Sequence, residues 1–257
     1  FRPDDRFLME RFVYASCEVT GHVTSASRHQ IADANQINLK NVIELEHAHV
    51  KPSEYVPKLD VLSLDIECSE KGELFSIGLA GESYKSVLMI GQSPKIIQPK
   101  IAQPKTEQPQ VGPDWITWVD NELALLQAFI IQLNQYDPDV IVGWNIVNFD
   151  WRLLISRAQL YQVSLNVGRN GTQITWRDGP KGSNNGYIFM PGRVVVDGID
   201  ALKTATYQFD SFSLENVAQS LLGKGKDTEN VDDRLAQIEH DFVHDKVKLA
   251  RYNLQDC

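Results

Sequence analysis

The chain has 257 residues and a formal net charge of -9, with 34 acidic against 25 basic residues. Hydrophobic residues make up 42% of it and charged residues 23%, which is typical of a globular protein and excludes a fibrous or disordered chain. The acidic balance argues against a protein that coats nucleic acid by bulk electrostatic attraction, although carboxylates that hold cations can still act on nucleic acid.

The apolar runs and the cysteines of the chain indicate the cellular compartment of the protein. No apolar run reaches the roughly 18 residues that a membrane helix needs, and nothing at the start reads as a signal peptide. Three cysteines without C-x-x-C spacing support neither a disulfide framework nor a zinc knuckle, so we expect a reducing cytoplasm and no membrane.

The first part of the chain, residues 1–58, is polar with short apolar groups, and we expect an irregular segment that is part of an N-terminal domain. The first residue is Phe1, and the chain stops at Cys257 within a helical pattern. We therefore expect a piece of a longer protein.

From residue 61 three strand-like runs follow one another, VLSLDIE at 61–67, LFSIGL at 74–79 and SVLMI at 86–90. Turn residues separate them, and the short connections predict an antiparallel meander. Residues 93–113 repeat a Q-P-K theme, which predicts a flexible insert outside the core.

Alternating helices and strands fill the rest of the chain. Asp120 can cap a helix that ends near Asp137, and the apolar run 139–143 predicts a buried parallel strand. Further helices are predicted at 149–161, 199–205, 213–222, 232–242 and from 245 to the end, with two or three β segments in a hairpin region at 166–196. This order predicts a three-layer α/β domain over residues 59–257.

Asp65 and Glu67 lie two residues apart on the first predicted strand, so the pleat directs both carboxylates to one face. A D-x-E triplet is expected about once by chance in a protein of this size. Two carboxylates in an otherwise apolar strand are nevertheless costly to bury unless a cation pairs with them, and a divalent ion is a suitable partner.

Two more acidic residues, Asp150 and Asp256, lie in segments with a recognisable structural context. GWNIVNFD (143–150) runs from the end of the predicted buried strand into a helix, where ligands often bind in open α/β sheets, although Asn148 or Asp150 could simply cap that helix. Tyr252 and Asp256 are four apart and share one face of the last helix, with Val247, Ala250 and Leu254 expected on its packed side.

Four carboxylates and a phenol, without a serine or cysteine nucleophile motif, suit hydrolysis of a phosphodiester by two metal ions. Oxygen-rich ligand sets favour Mg²⁺ or Mn²⁺ over zinc.

The segments LSLDIEC, GWNIVNFD and YNLQDC resemble the Exo I, Exo II and Exo III motifs of the 3′–5′ proofreading domain of family B DNA polymerases. FLMERF, DPDVIVGWN, GRVVVDGIDALK and FSLENVAQSLLGKGK resemble the corresponding stretches of bacterial members. The resemblance covers most of the chain from about residue 7, apart from the Q-P-K insert. It implies a ribonuclease H-like three-layer fold, with a mixed β-sheet flanked by helices.

The resemblance also implies a role for each site residue. Asp65 would bridge two Mg²⁺ or Mn²⁺ ions, Glu67 and Asp256 would hold the ion that binds the attacking water, and Asp150 would act on the second ion. Tyr252 would orient the water, as in the tyrosine subtype of the DEDD exonucleases.

Further implied features concern DNA. Asn145 would shape the path of the strand, and Leu74, Phe75 and Phe149 are candidates for an aromatic or apolar wedge, although side chains of this kind more often belong to the core. A hairpin around residues 171–189 would help to part primer from template. The implied partners are a single-stranded or frayed 3′ end of DNA, the remainder of a polymerase chain and a sliding clamp bound through regions outside this chain.

The sequence leaves alternatives open. His240 and Asp245 match the H-x4-D spacing of the histidine subtype, but they flank an apparent break between two helices. No palm-domain carboxylate motif is present, so DNA synthesis is not expected of this fragment. A catalytically weak DNA-binding or scaffold module, and an RNA-directed DEDD exonuclease, are the other hypotheses.

Overall fold

The computed structural model describes residues 3–23, 45–93, 113–180, 185–223 and 231–257. Nearly all of the Q-P-K insert predicted at 93–113 lies outside the described residues, as does the centre of the predicted hairpin tip. The chain divides into two compact units, Phe1–Leu59 with Asn170–Thr172, and Asp60–Arg169 with Gln173–Cys257.

The first unit contains helix α1 (Pro3–Met9) and an antiparallel pair of strands, β1 (Cys17–Val23) and β2 (Leu45–Pro52). The expectation of an irregular segment was therefore wrong for these residues. Every residue of β1 is exposed. Without a buried face, the strand lacks the apolar alternation by which a strand is recognised in a sequence.

The second unit is built on a mixed six-stranded sheet with the strand order β10-β7-β3-β4-β5-β6. Strands β3, β4 and β5 form the expected antiparallel meander, β7 runs parallel to both β3 and β10, and β6 runs parallel to β5. The hairpin β8–β9 stands apart as a separate two-stranded sheet. The strands are β3 (Val61–Cys68), β4 (Leu74–Gly81), β5 (Lys85–Ile90), β6 (Ile116–Val119), β7 (Val140–Gly143), β8 (Thr175–Asp178), β9 (Gly186–Phe189) and β10 (Val194–Asp197).

The helices of this unit are α2 (Glu122–Tyr136), α3 (Arg152–Leu160), α4 (Gly198–Thr204), α5 (Leu214–Leu222), α6 (Val231–His244) and α7 (Lys246–Asp256). Asn121, not Asp120, caps α2, because its side chain accepts a hydrogen bond from the backbone of Ala124. A π-helix, Val147–Trp151, precedes α3. Within the described ranges, no helix is both long enough and apolar enough to cross a membrane.

Successive side chains of the central strand β3 point to opposite faces of the sheet. Leu62, Leu64 and Ile66 join a core with residues of α2, the π-helix and α3. The opposite face of the sheet packs Val87 and Met89 against α6 and α7. Helices thus cover both faces, and burial of each large apolar side chain contributes about 2 kcal/mol.

The packed side of α7 differs from the expectation. Its buried residues are Leu249, Ala250 and Asn253. Val247 and Leu254, which were expected on that side together with Ala250, are only partly buried. An asparagine was not expected there, because helix patterns are read from apolar residues alone.

Candidate metal centre

Asp65 and Glu67 lie on the face of β3 that α7 covers. Their partners across the antiparallel pairing are Gly78 and Ser76 of β4. Both partners are small, so the cross-strand neighbours leave space above this part of the sheet. The period of two along β3 thus directs both carboxylates into one region, as the sequence predicts.

Asp256 reaches the same region from α7. One carboxylate oxygen each of Asp65, Glu67 and Asp256 can be chosen so that all three lie within 4.8 Å of one another. Three anionic oxygens at this spacing match the hard donors that Mg²⁺ and Mn²⁺ prefer. The cluster could therefore hold a divalent metal ion.

Asp150 is brought close by the turn that follows β7. A Cβ atom at Gly143 would lie 2.6 Å from the backbone oxygen of Leu64, so only glycine fits at this approach. Asn145 then adopts φ of 57°, a left-handed conformation that asparagine tolerates better than most residues, and the π-helix begins at Val147. The π-helix turns Asp150 inward, where it is only 2% exposed.

The electrostatics of Asp150 show its proximity to the cluster. Burial, and after it the negative charge of Asp65, raises the pKa of Asp150 well above its usual range. A hydrogen bond from the backbone of Ile66, next to Asp65 on β3, acts in the opposite direction. Asp150 is thus a buried neighbour of Asp65, although it is not one of the three residues within 4.8 Å.

Two thiols also lie in the negative potential of these carboxylates. Burial, then Glu67, Asp150 and Asp65, raises the pKa of Cys68 to about 11. The pKa of Cys257 is raised by burial and then by Asp65. A divalent cation bound here would neutralise part of this negative charge.

Tyr252 projects from α7 beside Asp256. Burial, and then the charge of Asp256, raises the pKa of the phenol, and a hydrogen bond with Asp256 adds to the shift. The hydroxyl is therefore protonated throughout the physiological range. It lies next to a cluster carboxylate, as the i, i+4 spacing predicts.

Arg234 of α6 also reaches this group, which the sequence did not predict. Its Nη2 donates to Oδ2 of Asp256 at 3.0 Å, and its guanidinium carbon lies 5.4 Å from the centre of the Tyr252 ring. No motif contains this arginine, and its position becomes apparent only when α6 packs beside α7. It supplies positive charge at the rim of the centre.

The aromatic and apolar wedge candidates divide into two groups. Leu74 is 2% and Phe75 is 7% exposed, and Phe75 stacks on Phe242 with ring centres 3.8 Å apart. Both belong to the core, which is the alternative that the sequence left open for them, and their side chains are used in packing. Phe149 is 46% exposed and can present its ring to a ligand, and Asn145 is exposed as well.

The hairpin and β10 are tied to the segment that carries Asp150. Oδ1 of Asn148 accepts a hydrogen bond from the backbone of Gly186 at 2.8 Å, which anchors β9. Asp197, at the end of β10, accepts from the backbone of Val147 at 3.2 Å and from that of Ile199 at 3.0 Å. Asp197 thus supports both the π-helix and α4, a role that no motif in the sequence indicates.

The histidine alternative gains no support. Asp245 caps α7 by accepting a hydrogen bond from the backbone of Lys248. His240 points its Nδ1 toward Asp241 at 3.4 Å. In the described part of the chain, the group of acidic, histidine or cysteine residues that could hold a metal contains neither of them.

Comparison with known proteins gives consistent findings. The profile of the family described as "DNA polymerase family B, exonuclease domain" matches residues 5–217. That range includes Asp65, Glu67 and Asp150 but ends before Tyr252 and Asp256.

Individual relatives extend the match. The chain is 37% identical over 259 residues to DNA polymerase II of Escherichia coli (strain K12), covering 100% of this chain and 29% of that protein. It is 26% identical over 266 residues to the DNA polymerase delta catalytic subunit of Caenorhabditis elegans, covering 94% of this chain and 23% of the relative. A DNA polymerase of Archaeoglobus fulgidus is 33% identical over 147 residues, covering 56% of this chain and 17% of the relative. The chain therefore spans less than a third of the length of these relatives.

Proposed function

The chain belongs to the exonuclease-domain family of family B DNA polymerases, and on this basis we propose that it is the proofreading part of a DNA-directed DNA polymerase. It would hydrolyse the last phosphodiester bond at a 3′ end of DNA and release a nucleoside 5′-monophosphate. The observation that carries this proposal is the approach of Asp65, Glu67 and Asp256 to within 4.8 Å.

The carboxylates would act as ligands of two Mg²⁺ or Mn²⁺ ions. Asp65, Glu67 and Asp256 would hold them through the clustered oxygens, and Asp150, a buried neighbour of Asp65, would complete the ligand set. When bound, such ions supply an activated water and stabilise charge on the leaving oxygen. The position of Asp150 supports this assignment, because it is a buried carboxyl beside Asp65, and a nearby cation would favour its ionised form.

The protein groups around the ligands would position the water. Tyr252 keeps its proton and is hydrogen-bonded to Asp256, so its hydroxyl oxygen can still accept a hydrogen bond from the attacking water. Attack by the water oxygen on phosphorus forms one P–O bond and breaks the bond to the 3′ oxygen, which takes up a proton. The guanidinium of Arg234, at the rim, can neutralise part of the charge on the phosphate.

Substrate selection would follow from the cost of separating strands. A mismatch lowers the cost of unpairing, so a frayed or single-stranded 3′ end enters the centre more readily. Phe149 offers an exposed ring for stacking, and Asn145 lies on the same turn. The hairpin β8–β9, anchored through Asn148, is proposed to help part primer from template.

The finer architecture belongs to the same proposal. We propose a ribonuclease H-like fold for residues 59–257 and a partial N-terminal domain for residues 1–58. The mixed sheet with a central β3, covered by helices on both faces, supports the first assignment, and the division after Leu59 supports the second. The remainder of a polymerase chain and a sliding clamp are proposed partners, and a cytoplasmic location stays a prediction.

Release of mononucleotides from a 3′-labelled single-stranded DNA tests the proposal. We expect Mg²⁺-dependent release by the unmodified chain and a loss of at least about a hundred-fold when Asp65 and Glu67 are both changed to Ala. Asp114→Ala removes an exposed carboxylate before the edge strand β6 and should leave the rate unchanged. Undiminished hydrolysis by the double variant would contradict the metal assignment.

Parallel assays separate the other two hypotheses. A matched RNA oligomer degraded as fast as the DNA oligomer would favour an RNA-directed exonuclease. DNA binding without hydrolysis at saturating Mn²⁺ would favour a scaffold module.

A further inference from the structure

Asn253 is the least expected residue in the contact between α7 and the sheet. It is 0% exposed and shares the buried side of the helix with Leu249 and Ala250. An apolar residue would fill such a position without cost, whereas a buried amide costs free energy unless its polar atoms are hydrogen-bonded. The burial of this amide therefore requires hydrogen-bond partners that offset its cost.

Two short hydrogen bonds provide its partners. Nδ2 of Asn253 donates to Oδ2 of Asp65 at 2.7 Å. Oγ of Ser76 donates to Oδ1 of Asn253 at 2.8 Å. The chain of bonds thus runs from β4 through α7 to the carboxylate on β3.

Chemistry fixes the orientation of this amide. An ionised carboxylate only accepts hydrogen bonds, so the nitrogen of Asn253 must face Asp65 and the oxygen must face Ser76. The Ser76 hydroxyl stabilises that orientation, because it can donate a hydrogen bond to the amide oxygen. Ser76 is itself 0% exposed, so water does not compete for this bond.

The sheet leaves room for the amide at one point. Gly78 lies opposite Asp65 in the antiparallel pairing. A Cβ atom there would lie 3.1 Å from Cγ of Asn253 and 2.9 Å from Sγ of Cys257. The missing side chain lets α7 approach closely enough for Asn253 to reach Asp65.

We propose that Ser76 and Asn253 are positioning residues that hold the Asp65 carboxylate in the orientation required for binding a divalent cation. This inference rests on the proposed function, since it concerns the same centre. Hydrogen bonds that orient a ligand are typically worth ten- to a hundred-fold in metal affinity or activity. A role in packing alone would instead change stability without changing metal affinity.

Calorimetric titration of the unmodified chain and its variants with Mn²⁺ alone tests the proposal. Asn253→Leu keeps a similar volume but removes the donor, and we expect about a ten- to hundred-fold weaker Kd. Ser76→Ala leaves the amide in place but removes the group that orients it, and we expect a loss of about three- to ten-fold. Ser76→Ala also serves if Asn253→Leu does not fold.

Ser86→Ala is the matched control. Ser86 is a buried serine of the neighbouring strand β5, and its hydroxyl donates to Gln132 of α2. Its loss should lower the melting temperature by an amount similar to Ser76→Ala and leave the Kd for Mn²⁺ unchanged. Each titration is made well below the melting temperature of the variant.

The outcomes separate this inference from the proposed function. Weaker Mn²⁺ binding by both Ser76 and Asn253 variants supports the positioning role, even if the unmodified chain fails to hydrolyse DNA, which would overturn the nuclease alone. An unchanged Kd in both variants, while the unmodified chain hydrolyses DNA, overturns the positioning role alone. No Mn²⁺ binding by the unmodified chain overturns both.

Discussion

Asp150 illustrates how a buried carboxyl couples pH to stability. Burial and the nearby charge of Asp65 raise its pKa in the folded protein, while in the unfolded chain it ionises in its ordinary range. Between these two pKa values the folded state binds more protons than the unfolded state. In the absence of a divalent cation, the free energy of unfolding should therefore fall as the pH rises through this window.

Asp150→Asn should consequently stabilise the metal-free protein at pH 8. The amide has nearly the same shape and cannot ionise, so we expect the variant to have a higher free energy of unfolding than the unmodified chain, and this gain vanishes near pH 4, where the unfolded carboxyl is about half protonated. Urea denaturation in chelator at the two pH values measures it. Saturating Mn²⁺ should reverse the order, because only the unmodified chain keeps all four carboxylates.

Asp139 provides a control of opposite sign. A backbone hydrogen bond from Asp60 and then the side chain of Arg169 lower its pKa. Its stabilising contribution is present above the unfolded pKa and is lost as the pH falls through the folded pKa. Asp139→Asn should destabilise the protein at pH 8, and equal effects of the two asparagine variants would contradict this account.

At the level of single residues, the sequence revealed the groups that carry charge and left out those that orient them. Asp65 and Glu67 are recognisable because carboxylates interrupt an apolar strand. Asn253 and Arg234 are not, because their roles depend on which helix packs on which strand. Those contacts form over long separations, such as the 188 residues between Asn253 and Asp65.

Among the elements, α7 carries ligands on one side and packs through another. It approaches the sheet closely at Gly78, where a side chain would meet Asn253 and Cys257. The position of Asp256 relative to β3 therefore depends on a single missing side chain. Docking of this helix and completion of the metal centre should be lost together.

Gly78→Val tests this link. Valine favours a strand conformation, so any destabilisation must come from its packing against α7 and not from β4 itself. We expect a loss of about 1–3 kcal/mol in stability, faster hydrogen exchange in α7 and weaker Mn²⁺ binding. Exchange in α2, which packs on the opposite face, should stay unchanged, and equal acceleration in both helices would contradict a local effect.

Strong apolar periodicity made β3, β4, β5 and α2 predictable. Elements with weak apolar periodicity were not predicted. β1 buries no residue, and β6 has only four residues, of which one is buried. The π-helix was predicted as the start of an ordinary helix, because the apolar spacing does not distinguish the two over a single turn.

In the second unit as a whole, the two faces of the sheet serve different purposes. The face away from the metal centre contains the main core and a buried ionic group. Glu122 accepts hydrogen bonds from Arg157 at 2.5 Å, from Tyr161 at 3.0 Å and from the backbone of Leu74 at 3.1 Å. This group joins α2, α3 and the start of β4.

Glu122→Ala should separate stability from metal binding. Removing the carboxylate leaves Arg157 largely buried without its ionic partner, so we expect a loss of about 3 kcal/mol in the free energy of unfolding. The Kd for Mn²⁺, titrated well below the melting temperature, should stay within about two-fold of the unmodified value. A much weaker Kd would show that the two faces are coupled.

The long connection between Asn253 and Asp65 has a kinetic consequence. Joining groups 188 residues apart requires closure of a very large loop, which is slow and entropically costly. The centre should then assemble only after the folding barrier has been crossed. Added Mn²⁺ would leave the refolding rate nearly unchanged and would slow unfolding. The ion would thus stabilise the native state after it has formed and would take no part in the folding nucleus.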